Sequence, residues 1–262
     1  MKKTRDWEKI IRNILFITLI FSIGYSIYKI ATVPIIVNDP EIYTHVKSDY
    51  VLMLLQCMLG LVVMFLPLFL ENKLKFDIPN HMTILYFIFL YCAIYLGEVR
   101  SFYYLVPHWD TVLHAFSGAM LGAFGYILVT ELNESINTTV NLSPFFVALF
   151  AFSFALAVGA VWEIYEFLGD GLFGLNMQKY RLENGTLLIG REALKDTMKD
   201  LIIDTLSALA VVLIGYSSVK LKIKERTEEK KGETNANRQS NEILRRRQRS
   251  QLCRSNALRF QR

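Results

Sequence analysis

The sequence predicts an all-α protein, a multi-pass transmembrane helical bundle of about six helices with a disordered basic C-terminal tail. Three observations carry that expectation. Apolar residues make up 53% of the 262-residue chain, and they gather into runs of membrane length instead of the short alternating clusters of a soluble domain. The mean hydropathy of +0.30 disfavours both disorder and coiled coil for the body of the chain. The charge is sorted: the whole is +5, but residues 225–262 hold 11 Lys and Arg against 5 Asp and Glu, which leaves residues 1–224 at −1. The expected units are therefore a transmembrane domain over 1–224 and a tail over 225–262.

In chain order the apolar runs are Ile14 to Thr32, Tyr50 to Leu70, Met82 to Leu96, Thr111 to Glu131, Pro144 to Leu168 and Leu194 to Val219. A hydrocarbon layer about 30 Å thick needs about 20 apolar residues at about 1.5 Å each. The first run follows Lys2, Lys3, Arg5, Lys9 and Arg12, as a signal peptide would. It is longer than a signal's apolar region and lacks a small-x-small cleavage site, so an uncleaved helix is expected. The third run is short unless it tilts or ends in an interfacial aromatic belt at Tyr103 and Tyr104. The sixth becomes continuously apolar only after Asp204. A count of five or seven is the alternative to six.

Lys and Arg mark cytoplasmic loops. They cluster at the amino end, at Lys73 and Lys75, and from Lys220 onward, all on one side of a six-helix path, so both termini are expected in the cytoplasm. Lys179, Arg181, Arg191 and Lys195 run against that pattern. The tail, with Arg245-Arg246-Arg247, has too little apolar surface to fold and would meet membrane lipids at most. Nothing supports nucleic-acid binding. Cys57 and Cys92 lie inside apolar runs and build no disulfide framework.

Ionisable groups at membrane depth cost at least about 2.5 to 3.5 kcal/mol each, so they default to functional candidates. Asp110 and His114 are four apart and share a helix face, although Asp110 could instead be a helix cap. Glu163, Glu166 and Asp170 form one stripe if the fifth helix runs through Gly169. Asp196, Asp200 and Asp204 recur every four residues, and about 12 Å of helix carries Asp204 past the headgroups if Asp196 is interfacial. An even path puts all these helix ends at one membrane face. So many acids must be protonated, paired with Arg100 or His114, or neutralised by a divalent metal, for which Zn, Mn and Mg suit the ligand types. Gly118 and Gly122 with Ser117 and Gly125 read as a close-packing face, not as a serine nucleophile's setting.

Gly97-Glu98, Trp109-Asp110, His114, Trp162-Glu163, Glu166, Asp196, Asp200 and Asp204 together resemble the YjdF-like bacterial inner-membrane proteins, multi-pass proteins with no assigned activity. The resemblance covers residues 10–220 and implies a bacterial cell (inner) membrane location. A weaker likeness to VanZ-like membrane proteins lies in a histidine, then glutamates, then a helical aspartate on successive helices. The chain lacks their Glu-x-x-Gln and Asp-x-x-x-Asn patterns, so no role is carried over.

Three functions fit the pattern. In the first, a metal-dependent hydrolase or transferase acts on a lipid or envelope precursor at the extracytoplasmic face. His114, Glu163, Glu166 and Asp204 would hold the ion, with Asp110 or Asp200 as proton acceptor. In the second, an ion-coupled transporter uses the same acids as a relay, although the chain has no internal repeat. In the third, a non-catalytic scaffold uses them to join helices.

Overall fold

The computed structural model describes residues 2–33, 46–74, 78–135, 142–182, 186–221 and 228, with the side chains of 2–6 and 131–135 left aside. Apart from residue 228, the tail expected to be disordered and to meet membrane lipids lies outside these residues. The described chain is helical, with six helices long and apolar enough to span a membrane. Its helices are α1 (Lys2–Thr32), α2 (Lys47–Val63), α3 (Leu66–Leu74), α4 (Asn80–Leu90), α5 (Phe102–Leu105), α6 (Trp109–Ser135), α7 (Pro144–Phe173) and α8 (Lys195–Leu221). By contact the chain divides into two compact units, Met1–Gly215 and Tyr216–Arg262. In the second, Lys220 Nζ stands 6.0 Å from the Tyr216 ring.

The second span, Lys47–Lys73, is broken between α2 and α3. Pro67 causes the break, because it has no amide to donate to the Val63 carbonyl one turn back. That carbonyl instead accepts the Tyr86 hydroxyl at 2.8 Å. In a medium without water a freed carbonyl must find such a partner. The third span runs from Asn80 to Val99, longer than its apolar run, because α4 continues as a π-helical turn over Tyr91–Val99. It ends with the Arg100 amide on the Tyr95 carbonyl, 2.9 Å away. Ser101 then takes a left-handed backbone, φ 61°, and turns the chain into α5.

Packing gathers α1, α2 and α4 around Leu15, Leu19, Met53, Cys57 and Phe87. Phe89 stacks on Phe116 at 5.9 Å and joins α4 to α6. On the other side, small residues let backbones approach. A Cβ on Gly118 would lie 2.7 Å from the Asp204 carbonyl oxygen, and one on Gly122 would lie 3.3 Å from that of Ala208, so α6 presses directly on α8. Gly125 meets Ala151 of α7 in the same way. Ser143 caps α7 by accepting the Phe146 amide at 3.2 Å, with Pro144 at the first helical position, where its missing amide costs nothing. The helix runs unbroken through Gly169 and ends at Gly174, φ 66°, as a left-handed C-cap.

Candidate functional site

At one end of the bundle, α6, α7 and α8 bring six of the sequence-predicted residues into one polar neighbourhood. Asp110 and His114 come from the first turns of α6, Glu163 and Glu166 from α7, and Asp200 and Asp204 from α8. All but Asp110 are buried, Asp200 at 2% exposure and Glu163 at 5%. Two glycines make the room. Asp204 Oδ2 lies 2.8 Å from where a Gly159 Cβ would be, so the carboxylate fits between α6 and α7 only because Gly118 and Gly159 have no side chains.

His114 is the centre. Its Nδ1 is 3.2 Å from Asp204 Oδ2, and Ser117 Oγ donates to Asp204 Oδ1 at 3.4 Å. A carboxylate only accepts, so Nδ1 carries the hydrogen of that contact. In the neutral imidazole Nε2 then keeps its lone pair. It faces Asp110 Oδ1 at 3.7 Å and Asp200 Oδ2 at 3.9 Å, both too long for a hydrogen bond. One atom from each of these three residues lies within 4.8 Å of the others, the spacing of a cation site. Bonds of about 2.1 Å separate ligand atoms by about 3.4 Å in a tetrahedral site, and trans ligands by about 4.2 Å in an octahedral one, so the 3.7 and 3.9 Å gaps from Nε2 fall within the range a metal spans.

The other predicted acids have different surroundings. Both Glu163 oxygens are fully buried without a hydrogen-bond partner, as is Asp200 Oδ1; Thr197 faces Glu163 without reaching hydrogen-bond geometry. Glu163 is within electrostatic reach of His114, Asp196 and Asp204. Glu166 accepts the Trp162 indole N–H at 2.9 Å. Asp170 folds the loop after α7 by accepting the Met177 amide at 2.7 Å and the Gln178 amide at 3.0 Å. Asp110 is the second residue of α6 and not its cap.

Spacing in the sequence pointed to neither Lys179 nor Tyr103. Lys179, from the loop between α7 and α8, pairs with Asp110 Oδ2 and reaches Asp196 Oδ1 at 3.2 Å. Burial works against its charge, but the Asp110 and Asp196 carboxylates more than offset this and hold its pKa above the ordinary lysine value. Its backbone is left-handed at φ 48°, a conformation non-glycine residues adopt only when the surroundings hold it. Lys199 donates to Thr111 Oγ1 and tethers α8 to α6. The Tyr103 ring lies over Gly97, where a Cβ would come within 2.5 Å of it. Burial, then the charges of Asp110, Glu98, Glu166 and Asp200, push its phenol well above the usual tyrosine range, so it stays protonated. The one signal for it was Gly97 itself. Glu98 stands in the π-helical turn, and Arg100 pairs with none of these acids among the described residues. A cavity of about 450 Å³ between α1 and that turn, lined by Ser22, Tyr25, Tyr95 and Arg100, includes none of the six residues.

Comparison with known proteins adds family and leaves activity open. A Thermotoga maritima protein described as "Uncharacterized protein" is 25% identical over 152 residues, covering 58% of this chain and 70% of its own. No solved structure matches. The family model described as "Predicted membrane protein (DUF2238)" matches residues 15–220, from the first span through nearly all of the last, and is compatible with the YjdF-like resemblance. With six membrane-length helices and that match, the chain belongs to the DUF2238 family of membrane proteins.

Proposed function

We propose that this multi-pass membrane protein binds a divalent metal at the carboxylate end of its bundle and uses it to hydrolyse or transfer part of a lipid or envelope precursor. One observation carries the proposal: His114 is fixed by Asp204 through Nδ1 while Nε2 faces Asp110 and Asp200 across gaps too wide for hydrogen bonds. A metal-bound imidazole ordinarily donates its other N–H to a carboxylate in this way. Asp110, His114 and Asp200 are then the ligands, and Asp204 is the positioning residue. The sequence alone puts Asp204 among the ligands and makes Asp110 or Asp200 the proton acceptor. In the proposed site those roles are exchanged, because Asp200 and Asp204 share a face of α8 and differ in which imidazole nitrogen they meet, which spacing does not carry.

The ion would polarise a phosphoryl or acyl oxygen and make a water more acidic. Glu163, buried and unpaired, would accept the water's proton. The water oxygen would bond to the phosphorus or acyl carbon as the bond to the leaving oxygen broke, and that oxygen would take the proton from Glu163. Glu166, engaged by Trp162, would support from behind. The positive-inside pattern supports a bacterial inner-membrane protein with cytoplasmic termini and the site at the extracytoplasmic face.

One observation favours the scaffold instead: Lys179 already neutralises part of the cluster. Metal content separates the two. Purified wild type titrated with Zn²⁺ and Mn²⁺ should bind one of them stoichiometrically, and His114→Ala and Asp200→Asn should lose it while remaining monodisperse. A wild type that binds neither ion and keeps its Tm in chelator overturns the metal reading.

A further inference from the structure

The described residues of the loop joining α7 to α8, 174–182 and 186–194, are held by several hydrogen bonds. Asp170 accepts the amides of Met177 and Gln178, and Asn176 both donates to the Arg181 carbonyl at 2.9 Å and accepts its amide at 3.1 Å. Arg181 bridges antiparallel to Leu187, with the Leu188 amide on the Tyr180 carbonyl at 2.9 Å and the Leu182 amide on Thr186 at the same distance. Gln178 and Lys179 bind this small hairpin to α8 and α6 through Thr197, Asp196 and Asp110. A loop held so firmly should turn its apolar side chains inward. Leu175 does so, at 3% exposure, but Leu187 is 62% exposed and Ile189 87%. The exposed Arg191, two residues on, makes no ion pair among the described residues.

We propose that this hairpin is a membrane-surface anchor, which seats Leu187 and Ile189 at the boundary of headgroups and acyl chains while Arg191 reaches the lipid phosphates. The loop begins and ends on two membrane spans, and its neighbours Phe173 and Leu194 are themselves exposed apolar residues at those span ends. Along the chain, exposed apolar residues thus flank the hairpin on both sides, at the ends of the spans it joins. Paired apolar and basic side chains are what such an interface binds, the long basic stem lying along the boundary. Lys179 connects the anchor to the carboxylate end, so it sets the height of that end relative to the leaflet from which a lipid substrate would come. The anchor rests on the hairpin's geometry and does not require the metal.

The test uses full-length protein without native cysteines, labelled with an environment-sensitive fluorophore at Ile189→Cys or, as a control, at Glu192→Cys. The samples are nanodiscs of phosphatidylglycerol and phosphatidylcholine. The Ile189 label should emit at shorter wavelength than the Glu192 label, lose intensity when nitroxide-labelled lipid is included, and resist aqueous iodide. Replacing phosphatidylglycerol by phosphatidylcholine should weaken the lipid quenching through Arg191, and Arg191→Gln should weaken it similarly. Iodide-sensitive, lipid-insensitive emission at Ile189 overturns the anchor. So does a blue shift without lipid quenching that depends on two copies per disc, which would assign this face to a second chain. Repeating the measurement on His114→Ala isolates the anchor from the metal reading, because it should give the same quenching whether or not an ion binds.

Discussion

His114 and Asp204 are both buried and 90 residues apart in sequence, yet one contact of 3.2 Å decides which imidazole nitrogen is available to a ligand. Loss of such a supporting carboxylate lowers metal affinity by about 10- to 100-fold. Asp204→Asn should weaken Zn²⁺ or Mn²⁺ binding by that factor, measured by competition with a chromogenic chelator, whereas Asp200→Asn, which removes a proposed ligand, should abolish it. Equal losses from the two would undo the division into ligand and positioning residue. Lys179 permits a second prediction at this scale. Its ammonium joins Asp110 to Asp196, so Lys179→Met leaves two carboxylates without their cation. In chelator the variant should unfold at lower temperature than wild type, and added Mn²⁺ should recover most of the difference. Because the folded-state pKa is raised, the pairing contributes fully below the ordinary lysine range and fades only as pH rises through the raised value. The wild-type advantage over Lys179→Met should therefore persist from neutral to mildly basic pH.

Elements meet here through glycines and through one repaired break. At Gly118 an added methyl would meet the carbonyl and Cα of Asp204, which cannot swing aside, at 2.7 and 2.9 Å; at Gly122 the closest atom is 3.3 Å away. Gly118→Ala should consequently lower the thermal midpoint in detergent and reduce the folded yield far more than Gly122→Ala. Comparable midpoints for the two would mean that α6 and α8 do not pack as closely as described. Where α2 gives way to α3, Tyr86→Phe removes the donor to the Val63 carbonyl freed by Pro67. Hydrogen bonds within membranes contribute about 0.6 kcal/mol on average, and an orphaned buried acceptor costs about 1 to 3 kcal/mol. The variant should lose stability in that range in reversible unfolding, and no loss would mean that the carbonyl finds another partner. These elements also show what could be read in advance. Periodicity of the acids on α6, α7 and α8 and the glycines of α6 gave the packing faces, because helical geometry turns spacing into direction. The π-helical turn over Tyr91–Val99, the contact of Gly97 with Tyr103 and the pairing of Lys179 with Asp110 depend on which elements become neighbours, and spacing along one element carries none of that.

Across the whole molecule, those same cations bear on orientation. Lys179, Arg181, Arg191 and Lys195 sit in a loop that a six-span path puts opposite the termini, where the positive-inside tendency disfavours them. Three have local duties: Lys179 joins Asp110 and Asp196, Arg181 donates to the Gly174 carbonyl at 2.7 Å, and Lys195 meets Glu192 at 3.3 Å. These contacts do not remove the discordance, but the Lys and Arg at the amino end, at Lys73 and Lys75 and from Lys220 onward outnumber these four, so the bias still favours cytoplasmic termini. Six helices long and apolar enough to span would, if all cross, put the turn before α6 and the loop after α7 on one side and the end of α3 on the other. Single cysteines in the background without native cysteines test this pattern: His108→Cys and Glu192→Cys should react with a membrane-impermeant maleimide on intact spheroplasts, and Lys73→Cys only after permeabilisation. If His108 and Lys73 react from the same side, the six-span path fails, and the carboxylate end loses the common face that any chemistry there requires. If the pattern is inverted as a whole, the path survives and the site faces the cytoplasm, which would replace envelope precursors by lipids of the inner leaflet as the substrates to assay.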